Sequence, residues 1–274
     1  MTEGGPPEET ERSMNIGFIG CGKMGEAILK GLPRNGDRIV VSRRNREELE
    51  RIRDRYHVET GGNRDAAACD IVFLAVNPQQ YGAVIPEIRG FIDPSALLVY
   101  LAPGIAPGEL AERLGAPEMK IIHMMPNTPC EVCAGVIAYA CGKTVNENDE
   151  KRFASLVASL GIAFRVEESQ MNAVVGMSGS SPAYFYMMLD AMAKAGVRAG
   201  LKRRDAYLMA AQAMLGSAKL ALESEKHPSE LRDDVCSPGG TTIEAVYALD
   251  KAGFEGIVMD AVAECVARAS GMGK

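Results

Sequence analysis

The sequence predicts an α/β chain in which an N-terminal doubly wound parallel sheet is followed by an all-α domain. From Met14 to about Val166, short apolar β-rich runs alternate with helical patterns. That order places helices on both faces of a parallel sheet. Beyond Val166 the chain changes to Ala, Met and Leu at helical spacing, with no convincing strand. A length of 274 residues suits two domains of about 100–200 residues each. The expected division is a loose tail over 1–13, a sheet domain over 14–166 and a helical domain over 167–274.

Residues 1–13 are acidic, rich in Pro and Gly, and nearly devoid of large apolar side chains. A secretory signal would need a basic start and an apolar stretch, so this segment reads as a tail. Ile16–Ile19 is the first expected strand, followed by a helix over Met24–Leu32. Ile39–Val41 and a charged helix over Asn45–Tyr56 come next, then a strand over Ile71–Val76 and a helix over Tyr81–Phe91. Leu97–Leu101, Met119–His123, Gly135–Tyr139 and Ile162–Val166 complete the strands. In the helical half, apolar residues between Asp205 and Glu225 cover nearly every face of one helix. Such a helix must be enclosed by its own bundle or by a second subunit. The short helical half favours an intertwined dimer. The Met stripe (Met187, Met188, Met192, Met209, Met214) reads as core.

Composition narrows the function classes. Apolar residues make up 47% and charged residues 24%, which excludes a disordered chain and a small disulfide-dependent scaffold. A net charge of -6 argues against duplex nucleic acid as the main partner, while leaving room for local anion sites. With no Trp, 7 Phe and 8 Tyr, a stacking groove for single strands is poorly supplied. Seven scattered cysteines and no secretory signal suggest a reduced, cytoplasmic chain. No run of about 18 apolar residues suggests a membrane span.

Gly20-Cys21-Gly22-Lys23-Met24-Gly25 fits G-x-G-x-x-G directly after a strand and at the start of a helix. In that context the motif points to a dinucleotide and a Rossmann-type sheet. Gly20 allows the tight turn, Gly22 admits a pyrophosphate, and Gly25 lets the helix pack on the sheet. The exposed N–H groups of the helix start hold the phosphate. At the end of the second strand an NAD site would carry Asp or Glu, but this chain has Ser42-Arg43-Arg44. A guanidinium pairs with a 2′-phosphate that a carboxylate would repel, so NADPH is favoured and NADH is the weaker alternative. Alternatively, Arg43 and Arg44 are solvated charges at a helix start. Ala75, Val76 and Asn77 end one strand and Leu101, Ala102, Pro103 and Gly104 another, where ligands of open α/β sheets lie.

A second signal lies near the C-terminus, where Ser237-Pro238-Gly239-Gly240-Thr241-Thr242 runs into a helical pattern. Thr241 and Glu244 match a capping box, so Thr241 can serve only as a cap. Equally, the glycine-rich approach to a helix start is an anion site that suits a small carboxylate, with the Thr242 hydroxyl free to donate.

Together these residues resemble pyrroline-5-carboxylate reductases over essentially Met14 to Lys274. The resemblance rests on Ile16 to Gly25, Met125 to Pro129, Val174 to Tyr184 and Asp233 to Asp250. It implies a Rossmann domain followed by a helical domain that interlocks with its partner, giving homodimers and in several cases decamers. The implied reaction reduces 1-pyrroline-5-carboxylate to L-proline, the last step of proline biosynthesis. The family's cofactor contacts fall on Gly20 to Gly25, Ser42, Arg43, Asn63, Ala75, Val76 and Asn77. Its substrate carboxylate site falls on Ser237, Gly240 and Thr241, and its catalytic hydroxyl on Thr242. Asn77 stands where the family usually has Lys, and Pro103 where Ala is usual. Glu225 is expected in the second layer around the substrate.

The rival enzyme reading, a β-hydroxyacid dehydrogenase, needs a Lys early in the first helical segment, yet none occurs before Lys194. A non-catalytic dinucleotide sensor is the rival from another class. Cys130 and Cys133 form one C-x-x-C, too few ligands for zinc, so no metal is expected. A redox pair is the better reading of these two. His123, after an apolar strand, reads as a hydrogen-bonded core residue.

Overall fold

Alternate residues of the central strands are apolar on both sides, and the structure buries both faces. The computed structural model describes residues 13–33 and 36–271. Of the tail expected over 1–13, only Ser13 falls within them. The described residues form two compact units, one running up to Gly179 and joined by 268–271, the other Ser180–Ala267.

The first unit runs β1 (Asn15–Ile19), α1 (Lys23–Gly31), β2 (Arg38–Ser42), α2 (Arg46–Tyr56), β3 (Glu59–Thr60), α3 (Asn63–Ala67), β4 (Ile71–Leu74) and α4 (Tyr81–Ile88). It continues with β5 (Leu97–Tyr100), α5 (Pro107–Leu114), β6 (Lys120–Pro126), β7 (Gly135–Cys141), α6 (Glu147–Val157), β8 (Gly161–Arg165) and α7 (Met171–Val174), which runs into a π-helical turn (Val175–Gly179). The sheet order is β3-β2-β1-β4-β5-β6-β7-β8. Successive side chains of a strand point to opposite faces. Accordingly Phe18, Val41, Phe73 and Val99 join Ile28, Ile52 and Phe153 in one buried cluster. Ile19, Val40, Val72 and Leu98 join Ala66, Val84, Ile88 and Leu110 in the other. The doubly wound α/β class expected from the alternating pattern is what the first unit adopts.

One strand departs from the all-parallel expectation. β7 pairs antiparallel with β6, Met124 facing Tyr139. The connection over 127–134 is too short for a parallel return, which needs a crossover of about a dozen residues or more. β8 then pairs parallel with β7 after α6.

The compact helical unit begins at Ser180, within the helical domain expected over 167–274. Residues 167–179 stay with the sheet for two reasons. Met171 is buried beside Met125 and Ala140, and the Asn127 side-chain amide donates to the Ser178 carbonyl at 3.1 Å.

The second unit contains α8 (Ser181–Arg198), α9 (Arg203–Glu223), α10 (Pro228–Val235), α11 (Thr241–Lys251) and most of α12 (Phe254–Ser270). α8 and α9 approach closely at Gly196, where a Cβ would lie 2.8 Å from that of Ala206. Within α9 only Ala206 and Ala210 are buried. Leu208, Met209, Leu215, Leu220 and Leu222 are exposed in the single chain, as are Met187 and Met188 of α8, so the unit does not enclose α9 as an internal bundle would.

Candidate functional site

The turn after β1 is built around two glycines with different constraints. Gly20 has φ +83°, and a Cβ there would sit 2.2 Å from Val76 Cγ1 and 3.1 Å from the Val76 backbone. A side chain is excluded on both counts. The Gly20 N–H donates to the Ser42 carbonyl at 3.0 Å, tying the end of β1 to the end of β2. Gly22 is the N-cap of α1 with no side-chain cap. Nothing lies within 4 Å of where its Cβ would be. The first N–H groups of α1 are thus left for an anion to approach. A Cβ on Gly25 would lie 3.4 Å from that of Ala75. This cradle, open at Gly22, fits a pyrophosphate.

The turn opens into a cleft of about 580 Å³ at the carboxyl ends of the strands. The cleft gathers Gly20, Gly22, Ser42, Arg43, Arg44, Asn63, Ala75, Val76 and Asn77 of the residues named from sequence. It lies at the switch in strand order between β1 and β4, where open α/β sheets bind ligands. Arg43 folds over the glycine turn, its guanidinium donating to the Cys21 carbonyl at 2.8 Å and lying 3.7 Å from Glu48. Arg44 is exposed on the cleft wall. Ser42 is buried, and its hydroxyl donates to the Asn63 side-chain oxygen. The Asn63 amide in turn donates to Glu87 Oε2 at 2.8 Å.

Five named cofactor residues do not line this cleft: Gly25, buried in α1, and four others. Cys21 is fully buried, and burial pushes its thiol pKa up to about 12, so only its backbone remains to contribute. Lys23 and Met24 line a neighbouring groove between α1 and α2 with Glu26, Arg51 and Arg55. There Glu26 is held below the usual carboxylate range by its hydrogen bonds from Arg51. Ala102 is buried. Sequence reasoning missed Glu87, Gly61, Gly62 and Gln80 on the cleft wall. Glu87 had no detectable signal, because α4 reads as an ordinary apolar helix.

His123 is buried as expected of a core residue. Its Nδ1 lies 2.9 Å from Glu168, and its ring stacks on Tyr100 at 4.4 Å. With Glu168, Pro103 and Met125 it lines a second cavity of about 280 Å³. Cys130 is buried, Cys133 is exposed, and neither is bonded to another cysteine.

In the second unit the C-terminal signal forms a turn and a helix start. Gly239 has φ +66°, and the Gly240 N–H donates to the Ser237 carbonyl at 3.0 Å. A Cβ on Gly240 would lie 2.4 Å from Ser237 Oγ. The expected capping box of Thr241 and Glu244 does not form. The tight turn brings the chain into the helix one residue early, so Gly240 is the N-cap and no side chain caps α11. Ser237 and Thr241 are exposed, and Thr242 is half-buried. Glu225 is exposed between α9 and α10.

Residues 168–272 match the family described as pyrroline-5-carboxylate reductase dimerisation. Residues 15–99 match NADP oxidoreductase, coenzyme F420-dependent. The pyrroline-5-carboxylate reductase of Escherichia coli is 40% identical over 265 residues, covering 94% of this chain and 98% of its own. The chain belongs to the pyrroline-5-carboxylate reductase family. Solved family structures agree with that fold. The enzyme from Coxiella burnetii superposes with a TM-score of 0.89 at 32% identity, covering 96% of this chain and all of the other. The Plasmodium falciparum enzyme, whose structure has NADP bound, gives 0.86 at 31% identity over 95% of this chain and 98% of its own.

Proposed function

We propose that the protein reduces 1-pyrroline-5-carboxylate to L-proline with NADPH, the last step of proline biosynthesis. The observation that carries the reading is the uncapped start of α1 behind Gly20 and Gly22. It opens into a cleft whose β2 end presents Ser42, Arg43 and Arg44 where an NAD site would place a carboxylate. Family membership and the NADP-bound relative support the same reaction and cofactor. NADH is accepted more weakly.

In this reading the α1 N-terminus holds the pyrophosphate, and Arg43 and Arg44 pair with the 2′-phosphate. Ser42 stands beside Arg43 at the 2′-phosphate, Asn63 borders the adenosine, and Ala75, Val76 and Asn77 support the cofactor from the end of β4. Ala102 supports it from the end of β5. Cys21, Lys23 and Met24 contribute backbone groups rather than side chains. Asn77 and Pro103 replace the usual Lys and Ala, which affects affinity more than reaction type. NADPH supplies the hydride from nicotinamide C4 to the imine carbon, C5. The uncapped N–H groups of α11, with Ser237, Gly240 and Thr241, fix the substrate carboxylate. Thr242 is the catalytic hydroxyl. The protonated imine nitrogen gains a lone pair only as the hydride arrives, so a donor there favours the transition state over the ground state. Glu225 acts in the layer behind.

The helical unit mediates self-association into a homodimer, with a decamer as the larger assembly in keeping with the family. Support comes from the dimerisation-family match and from the exposed apolar residues of α8 and α9. No helix among the described residues is long and apolar enough to cross a membrane. Seven free cysteines suit a reducing compartment, and we place the enzyme in the cytoplasm.

The test is NADPH oxidation with and without 1-pyrroline-5-carboxylate. Stimulation by the imine is the expected result. NADPH binding without turnover would replace the enzyme by a dinucleotide sensor.

A further inference from the structure

Three cleft residues form a hydrogen-bonded relay whose polarity follows from its last member. An ionised carboxylate only accepts hydrogen bonds. Glu87 therefore obliges Asn63 to turn its NH2 toward α4, where the Nδ2–Oε2 distance is 2.8 Å. Asn63 must then present its oxygen to Ser42, and Ser42 spends its only proton on that oxygen. What Ser42 offers the cleft is a pair of acceptor lone pairs and no donor. Ser42 is the last residue of β2, the position that meets the ribose 2′ group of a dinucleotide.

A ribose 2′-hydroxyl can donate to such an acceptor, whereas a 2′-phosphate carries acceptor oxygens and needs a donor. We propose that Glu87 is a specificity-determining positioning residue, which through Asn63 holds the Ser42 hydroxyl in the orientation matched to NADH and so limits the preference for NADPH. The proposal rests on the cleft's being the cofactor's adenosine end, as read above. Arg43 and Arg44 attract the phosphate, and the relay opposes them.

Replacing Glu87 by Gln keeps the shape and adds a donor. The Gln NH2 donates to Asn63 Oδ1, the Asn63 amide flips, its NH2 donates to Ser42 Oγ, and the Ser42 proton becomes free for the phosphate. Glu87→Gln is therefore expected to raise the ratio of Kd for NADH to Kd for NADPH by roughly 10- to 150-fold, the range of one recovered hydrogen bond to a charged group. The measurement is direct titration of nicotinamide fluorescence with each nucleotide. Asn63→Ala, which removes the acceptor holding the hydroxyl, moves the ratio in the same direction. In a Ser42→Ala background, Glu87→Gln leaves the ratio within about twofold, since no hydroxyl remains to turn.

An unmoved or lowered ratio in Glu87→Gln overturns the inference, because a tie that only braces α4 against α3 changes both affinities alike. A rise that persists in the Ser42→Ala background overturns it too, since loss of the negative charge would then account for the effect. A native chain that binds neither nucleotide overturns the cofactor reading and this inference with it. Native binding of NADPH with an unmoved ratio overturns the inference alone.

Discussion

Single side chains decide the chemistry at both candidate sites, mostly through which protons they can give. Thr242 follows the N-cap glycine of an uncapped helix by two residues. Its hydroxyl has no helix-capping duty to perform. Removing one oriented donor from a site where electron density develops slows catalysis by about 10²–10³-fold in kcat. Thr242→Ala is thus expected to lower kcat by roughly 10- to 1000-fold, with a much smaller change in the KM for the imine. Steady-state kinetics check this, and an unchanged kcat would remove Thr242 from the mechanism. Cys21 shows the opposite case. Its thiol is buried and its pKa is raised to about 12, so it stays protonated and unreactive at neutral pH. The motif position it occupies matters for its backbone, whose carbonyl anchors Arg43.

At the scale of elements, close approach sets the stability of the nucleotide half. A Cβ on Gly17 would lie 1.8 Å from the Ala66 carbonyl oxygen, so β1 and α3 touch backbone to backbone. Gly17→Ala must push α3 away from the sheet, an overpacking change that costs about 1–3 kcal/mol. The expected fall in Tm is roughly 3–10 °C, read by thermal unfolding. An unchanged Tm would mean that α3 relaxes freely. Strands such as Ile71–Leu74 were legible because both faces are buried, which leaves continuous apolar runs. β3 was not, since Glu59 and Thr60 are exposed and two residues carry no period. The glycine turn was legible from its spacing together with the strand before it and the helix after it. Its wall was not, because Glu87 reaches the cleft from a helix whose pattern records the buried Tyr81, Val84, Ile85 and Ile88. The short 127–134 connection did carry the antiparallel direction of β7, through loop length rather than composition. Thr241 misled because a capping box depends on where the helix starts, and the Gly239 turn sets that start.

For the whole molecule, the exposed apolar surface of the helical unit is the dominant feature. Leu215 and Leu222 of α9 stand exposed in a single chain, together with Met187 of α8. Exposed apolar area on this scale marks an interface. Leu215→Glu introduces a charge that a buried contact cannot tolerate without a partner. Light scattering is expected to show a shift toward the mass of a single chain, and an unchanged mass would place the contact elsewhere. The turn that reverses β7 has a separate consequence, for the order in which the sheet closes. Among the described residues β6 and β7 are the one laterally paired couple joined without an α-helix between them. Loop-closure entropy grows with the logarithm of the intervening length, so bringing β1 to β4 costs roughly 1.5 kcal/mol more than closing this hairpin. The corner formed most easily is therefore remote from Gly20 and Val76, and the nucleotide cleft belongs to the slower, non-local part of folding.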